Sequence, residues 1–201
     1  MGIDFARVVI RELFYGNKNS DGAVLRVWGK EKQVLFEQTV LPHLDAAYNL
    51  ARWLTRNEHD AEDMVQEAYL RAFRFFAGFH GTDVRPWLLS IVRNCCYSWL
   101  QQNRTQELST EFDEEKHSTD ADSSDPAALA LQNADHEMLK GALDQLPVEF
   151  REVVVLRDLE GLSYKEIADI ANIPTGTVMS RLARARDRLK RILSDRLKRK
   201  S

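Results

Sequence analysis

The residues whose types and spacing carry the most chemistry lie toward the end of the chain. Ser163-Tyr164-Lys165-Glu166 has capping-box spacing: the serine hydroxyl can accept the Glu166 backbone N–H while the glutamate carboxylate reaches back to the serine N–H. Such a cap fixes a helix start and contributes about 1 kcal/mol. Ile167, Ala168 and Ala171 then predict a short helix with small residues where another helix must approach closely. Asn172-Ile173-Pro174 makes a turn, and a new helix begins at Thr175. In TGTVMSRLARARDRLKRI, Val178, Leu182, Ala185 and Leu189 fall on one side and Thr177, Ser180, Arg181 and Arg184 on the other. Short polar residues such as Thr175, Thr177 and Ser180 admit the helix into a DNA major groove. There Arg181 can fork onto a guanine, and Arg184, Arg188 and Lys190 can reach phosphates. An amphipathic helix with a solvated basic face meets the last part of this pattern; the cap, short helix, turn and basic helix in that order favour a helix-turn-helix.

A second constellation sits in the middle of the chain. Trp87, Ser90, Asn94, Tyr97 and Gln101 recur three or four apart, with Arg93 beside them. Rings and a cation mixed in this way suit an unstacked single strand, because a base stacks on a ring while arginine holds the backbone. Trp87 and Tyr97 completing a hydrophobic core is the competing reading. Carboxylates at Asp60, Asp63 and Glu67 lie on a helix face with Gln66 and Leu70, without the partners of a catalytic pocket. No glycine-rich phosphate loop, nucleophile motif or metal-ligand spacing accompanies them, so enzyme chemistry has the least support.

The elements that must position these groups are helical. Glycine and proline are sparse and apolar residues recur with helical periodicity, which predicts an all-α fold. A first helix is expected over Val34 to Thr55, with Leu41, Leu44, Tyr48, Ala51 and Leu54 on one face and a bend at Pro42. Asn57 to His59 reads as a turn. A second helix, Asp60 to Phe76, buries Ala61, Val65, Ala68, Tyr69, Ala72, Phe73 and Phe76. After a loop from Gly78 to Arg85, a third helix runs from Pro86 to about Gln102 with Leu88, Ile91, Val92, Cys95 and Trp99 on its core side. Residues 105–126 are acidic and rich in Ser, Thr and Asp, the composition of a flexible linker. A second module starts at Asp125-Pro126, with Leu129, Leu139, Leu143 and Leu146 in a helix closing before Pro147 and another helix to about Leu159, ended by Glu160-Gly161. The division is thus an extension over 1–33, a helical domain over 34–104, the linker, a helix-turn-helix domain over 127–195, and a basic tail over 196–201.

Bulk properties agree. The 201 residues are 44% hydrophobic and 29% charged, enough apolar surface for two small folded domains. A net charge of -3 conceals an acidic centre and a basic end, and the distribution is what bears on DNA binding. Cys95 and Cys96, adjacent in an apolar helical pattern, read as small core residues of a chain in a reducing cytoplasm. The five histidines have no ligand spacing, so neither metal nor cofactor is expected. The N-terminus carries charges among its apolar residues and lacks a signal-peptide core, and no stretch reaches membrane-spanning length without charges.

SYKEIADIANIPTGTVMSRLARAR resembles region four of the bacterial sigma factors, the segment that reads the minus-thirty-five promoter element. DAEDMVQEAYLRAFRFF and RPWLLSIVRNCCYSWLQQNR resemble, in the same order, the parts of region two that dock on the polymerase clamp and that open and read the minus-ten element. With no full third domain between them, the resemblance is to the extracytoplasmic function (ECF) group of the sigma-70 family. It implies that Asp60, Asp63, Gln66, Glu67 and Leu70 meet the clamp helices of core RNA polymerase. It implies further that Phe79, His80, Trp87, Ser90, Arg93, Asn94 and Tyr97 contact the minus-ten element, with the Phe79 to Val84 loop receiving a flipped-out base. Thr175, Thr177, Ser180, Arg181, Arg184 and Arg188 would contact the minus-thirty-five element. Ser98 and Gln101-Gln102 depart from the acidic and basic residues common in the family. Core polymerase, promoter DNA and an inhibitory anti-sigma factor, often membrane-anchored, are the implied partners. A self-sufficient helix-turn-helix regulator, binding operators as a dimer with the first module as sensor, is the rival reading.

Overall fold

A computed structural model of the chain describes residues 30–107 and 138–200, and every described element is helical. Helix α1 (Lys30–Thr39) leads into a 3-10 turn at Leu41–His43 and then α2 (Leu44–Thr55). The single bent helix expected over Val34 to Thr55 is therefore two helices. Pro42 lacks the N–H a continuous helix would use and its ring crowds the carbonyl one turn earlier, so the chain tightens and restarts at Leu44. Phe36 of α1 is fully buried, edge-on to Phe73 and Phe76 with ring centroids 5.2 Å away in both cases.

Arg56 takes a left-handed conformation (φ 64) that closes α2. Asn57 caps the next helix, its side-chain oxygen accepting from the backbone N–H of His59 at 2.8 Å and of Asp60 at 3.2 Å. Helix α3 (Glu58–Phe75) consequently starts two residues before the expected Asp60. Ala61, Val65, Ala68, Tyr69, Ala72 and Phe73 are buried as the periodicity predicts, and Phe76 is half-buried in a 3-10 turn at Phe76–Gly78.

Helix α4 (Val84–Glu107) also exceeds its expected bounds. Asp83 accepts the Arg85 N–H at 2.9 Å and starts the helix ahead of Pro86, and the far end continues past Thr105 into the segment read as linker. Leu88, Val92 and Cys95 are buried as expected, while Ile91 and Trp99 are only half-buried. Cys96, read as a small core residue, is fully buried, and Leu89, outside the expected core stripe, is fully buried too. Their burial marks a second covered face on this helix.

In the second module, residues 138–143 form α5, and Ala142, Leu143 and Leu146 are buried. Leu139 is exposed rather than in the core, because the helix presents the Ala142–Leu143 side to its neighbours. The expected helix start at Asp125-Pro126 and most of the acidic linker lie outside the described residues. Helix α6 (Val148–Val154) passes into a π turn at Val155–Leu159, closed by the Glu160 N–H on the Val155 carbonyl and by Gly161 at φ 70. The serine–glutamate capping box forms in full: the Ser163 N–H donates to the Glu166 carboxylate at 2.7 Å, and the Glu166 N–H donates to Ser163 Oγ at 3.2 Å. Helix α7 (Tyr164–Ala171) ends at Asn172 (φ 52), whose short polar side chain tolerates the left-handed conformation. Helix α8 (Thr175–Lys200) buries Val178, Leu182 and Ala185 and half-buries Leu189. Arg196, assigned from sequence to the basic tail, is still helical and donates to the carbonyls of Met138 (3.1 Å) and Gly141 (2.9 Å).

The two modules pack on each other, α4 against α7 and α2 against α6, so that their buried residues form one continuous hydrophobic cluster.

Candidate nucleic-acid interface

The turn after α3 and the start of α4 enclose a cavity of about 540 Å³ lined by Leu35, His43, Phe76, Phe79, Gly81 and Asp83 among others. Phe79 lies against Trp87, centroids 4.9 Å apart, and Trp87 in turn meets Phe76 at 6.4 Å. A Cβ on Gly81 would sit 2.7 Å from the Phe79 ring, so this glycine lets the aromatic fold over its own loop. Burial and the nearby Arg85 hold His43 below its ordinary pKa, leaving a neutral imidazole in the wall. His80 is exposed at the loop tip.

Farther along α4, Ser90 Oγ donates to the Trp87 carbonyl (2.7 Å) and Asn94 is exposed. Arg93 and Tyr97 are engaged otherwise. Arg93 Nε donates to one oxygen of Glu152, and the Tyr97 hydroxyl donates to the other at 2.9 Å. The Arg93 guanidinium also stands 4.2 Å from the Tyr97 ring centroid. Glu152, on α6 of the second module, has no exposed surface. Burial raises its carboxyl pKa, opposed by Arg93, the Tyr97 hydroxyl and Arg181. Tyr97 is pushed up as well, by burial and by the carboxylate it serves, so its hydroxyl keeps its proton.

The basic helix α8 carries Thr175, Ser180, Arg184 and Arg188 exposed, with Thr177 and Arg181 half-buried. Ser180 Oγ donates to the Thr177 carbonyl at 3.0 Å. Arg181 is placed within electrostatic reach of both Glu152 and Tyr97. The structure thus brings together Arg93, Tyr97 and Arg181, which the sequence reading assigned to two separate DNA contacts, and leaves the remaining α8 residues on an open face. Among the described residues no group of three or more His, Cys, Asp or Glu side chains is arranged to hold a metal ion.

The candidate clamp surface on α3 is continuous: Asp60, Gln66, Glu67 and Leu70 are half-buried and Asp63 is exposed. Glu67 accepts from Arg71 Nε at 2.6 Å, and His59 stands 4.0 Å from Asp63. Burial and the neighbouring Asp63 raise the Asp60 carboxyl pKa.

Sequence reasoning missed Glu152, Arg151 and Glu160. Glu160 accepts from Arg85 (2.6 Å) and Asn49 (3.2 Å) of the first module. The signal for Glu152 was a charged pair, Arg151-Glu152, immediately before the apolar run Val153-Val154-Val155-Leu156 on a short helix with little solvent-facing surface.

The family model for Sigma-70 region 2 matches residues 39–106, and that for Sigma-70, region 4 matches residues 136–189. The chain is 35% identical over 162 residues to the ECF RNA polymerase sigma factor SigE of Mycolicibacterium smegmatis, covering 79% of this chain and 62% of that one. It is 32% identical over 178 residues to the ECF RNA polymerase sigma factor SigM of Mycobacterium tuberculosis, covering 88% and 86%. Among solved structures it is similar to the sigma factor RpoE of Bartonella quintana in complex with the anti-sigma factor NepR, with a TM-score of 0.68 and 30% identity over 79% of this chain and 96% of that one. With both regions present in order and on the expected helices, the chain belongs to the ECF sigma factors of the sigma-70 family.

Proposed function

We propose that this chain binds core RNA polymerase and directs promoter-specific initiation, acting by recognition and catalysing no reaction of its own. The observation that carries this reading is the pairing, in one chain, of a fully formed capped helix-turn-helix with a region 2 helix set whose loop and α4 face hold aromatic and basic side chains. The α3 face from Asp60 to Leu70 docks on the clamp helices. Helix α8 enters the upstream duplex, the half-buried Arg181 reading a base edge and the exposed Arg184 and Arg188 holding phosphates. Phe79, His80, Trp87, Ser90, Arg93, Asn94 and Tyr97 capture the opened downstream strand, and the cavity beside Phe79 receives a base. Trapped bases return about 1–3 kcal/mol each, offsetting part of the unpairing cost without nucleotide hydrolysis.

Work on polymerase puts the protein in the cytoplasm, and no helix among the described residues is long and apolar enough to cross a membrane. An anti-sigma factor, membrane-anchored or free, is the expected inhibitor, in line with the relative solved with NepR. Run-off transcription with purified core polymerase on a promoter library tests the reading: protein-dependent, promoter-specific transcripts support it. No stimulation, together with operator binding by a dimer of the protein alone, would replace it with the self-sufficient regulator.

A further inference from the structure

Five direct polar ties between the described residues of the two modules run from donors on the first to acceptors on the second. Arg93 and Tyr97 donate to Glu152, Arg85 and Asn49 to Glu160, and Arg56 to the Leu146 carbonyl at 3.4 Å. Glu152 is at the centre of the set. Its two carboxylate oxygens take one charge-assisted and one hydroxyl hydrogen bond, the arrangement a DNA phosphate would receive from the same arginine and tyrosine. Arg181 of the helix-turn-helix lies within electrostatic reach of the same carboxylate without a hydrogen bond to it.

We propose that Glu152 is an intramolecular latch that stands in for a DNA phosphate, holding Arg93 and Tyr97 of the first module until the two modules separate. The inference rests on the proposed reading of those residues as DNA contacts. Elements named minus ten and minus thirty-five lie about 25 base pairs apart, about 85 Å of B-form duplex, a separation that modules in direct contact do not span. The packed arrangement is therefore closed to promoter DNA. Its apparent affinity for DNA is the intrinsic affinity reduced by the fraction of molecules that are open.

The closed interface also carries the means of its release. Arg151, beside Glu152, is only 2% exposed, and its Nε and Nη1 have no hydrogen-bond partner among the described residues. Asp144 is 3.7 Å away, and burial together with Arg56 pulls the Arg151 pKa down to about 10. Closure thus encloses an arginine and a carboxylate that water would solvate better, so the latch holds the modules and remains openable by competition.

The test uses the full chain without polymerase. Glu152→Arg places a cation against Arg93. The variant is expected to enlarge the radius of gyration in X-ray scattering and to bind promoter duplex at least tenfold more tightly than the parent. Conversely, Arg56→Cys/Gln145→Cys bridged by a flexible bismaleimide holds the modules together and is expected to bind at least tenfold more weakly than the same variant before bridging. Arg56 and Gln145 are exposed and outside the proposed DNA contacts. A bridged chain that binds DNA as well as the unbridged one overturns the latch. So does a Glu152→Arg chain with unchanged helicity that scatters and binds like the parent; if that variant loses helicity, the bridged pair decides. Failure of the sigma reading itself is separate: run-off transcripts would then be missing with the parent and every variant, while the scattering comparison still reads the latch.

Discussion

The hydroxyl of Tyr69 donates to the carbonyl of Val40, 3.2 Å away and 29 residues earlier in the chain. Tyr69 is fully buried on α3, and burial raises its pKa so that the proton stays in place. Val40 is where the first helix breaks ahead of Pro42, so this bond occupies a carbonyl released by the break. Tyr69→Phe keeps the ring and removes one of two hydrogen bonds to that carbonyl, which still accepts the His43 N–H at 3.1 Å. It is expected to cost about 0.5–1.5 kcal/mol in urea unfolding with little change in the denaturant slope.

At the start of α7, Glu166 is held below the ordinary carboxylate range by its hydrogen bonds with Ser163. A depressed carboxyl contributes stability that is present above its unfolded value and lost as pH falls through its folded value. Ser163→Ala should therefore cost about 1 kcal/mol at neutral pH. It should also flatten the acid limb of the melting-temperature profile, and an unaltered acid limb would contradict the cap's electrostatic part.

On the proposed reading, Arg181 and Arg188 make two kinds of DNA contact. In reconstituted holoenzyme, Arg181→Ala should relax discrimination at one upstream position by about 1–3 kcal/mol. Arg188→Ala should weaken binding uniformly and reduce the slope of affinity against salt by about one. Competition with single-base promoter variants over a salt series distinguishes the two.

Gly81→Ala meets the Phe79 ring at 2.7 Å and must shift the ring or its loop, changing the Phe79–Trp87 packing. The expected result is altered preference at the minus-ten element in run-off competition, with binding of an isolated minus-thirty-five duplex unchanged. Loss of both together would mean that the loop supports the whole fold rather than the downstream contact.

Much of this protein was legible in the order of its residues because the relevant interactions are local. Helical periodicity located the buried stripe of α3, and the four residues Ser163 to Glu166 contained both halves of their own cap. Element ends moved where a single side chain outweighed periodicity, as Asn57 and Asp83 did by capping and Pro42 by interrupting. The face of α4 bearing Trp87, Ser90, Asn94 and Tyr97, with Arg93 beside it, was another matter. From sequence alone it reads as a strand-binding surface or as surplus core, because periodicity reports that a face is special without reporting what covers it. The answer depends on Glu152, 59 residues beyond Arg93, and on a charge whose burial is tolerable only when donors from the other module converge on it. Local pattern determined the helices, their caps and the basic face of α8; the docking of one module on the other, and with it the pairing of Arg93 and Tyr97 with an internal carboxylate, was decided by tertiary structure, since desolvated charges find their partners only in three dimensions.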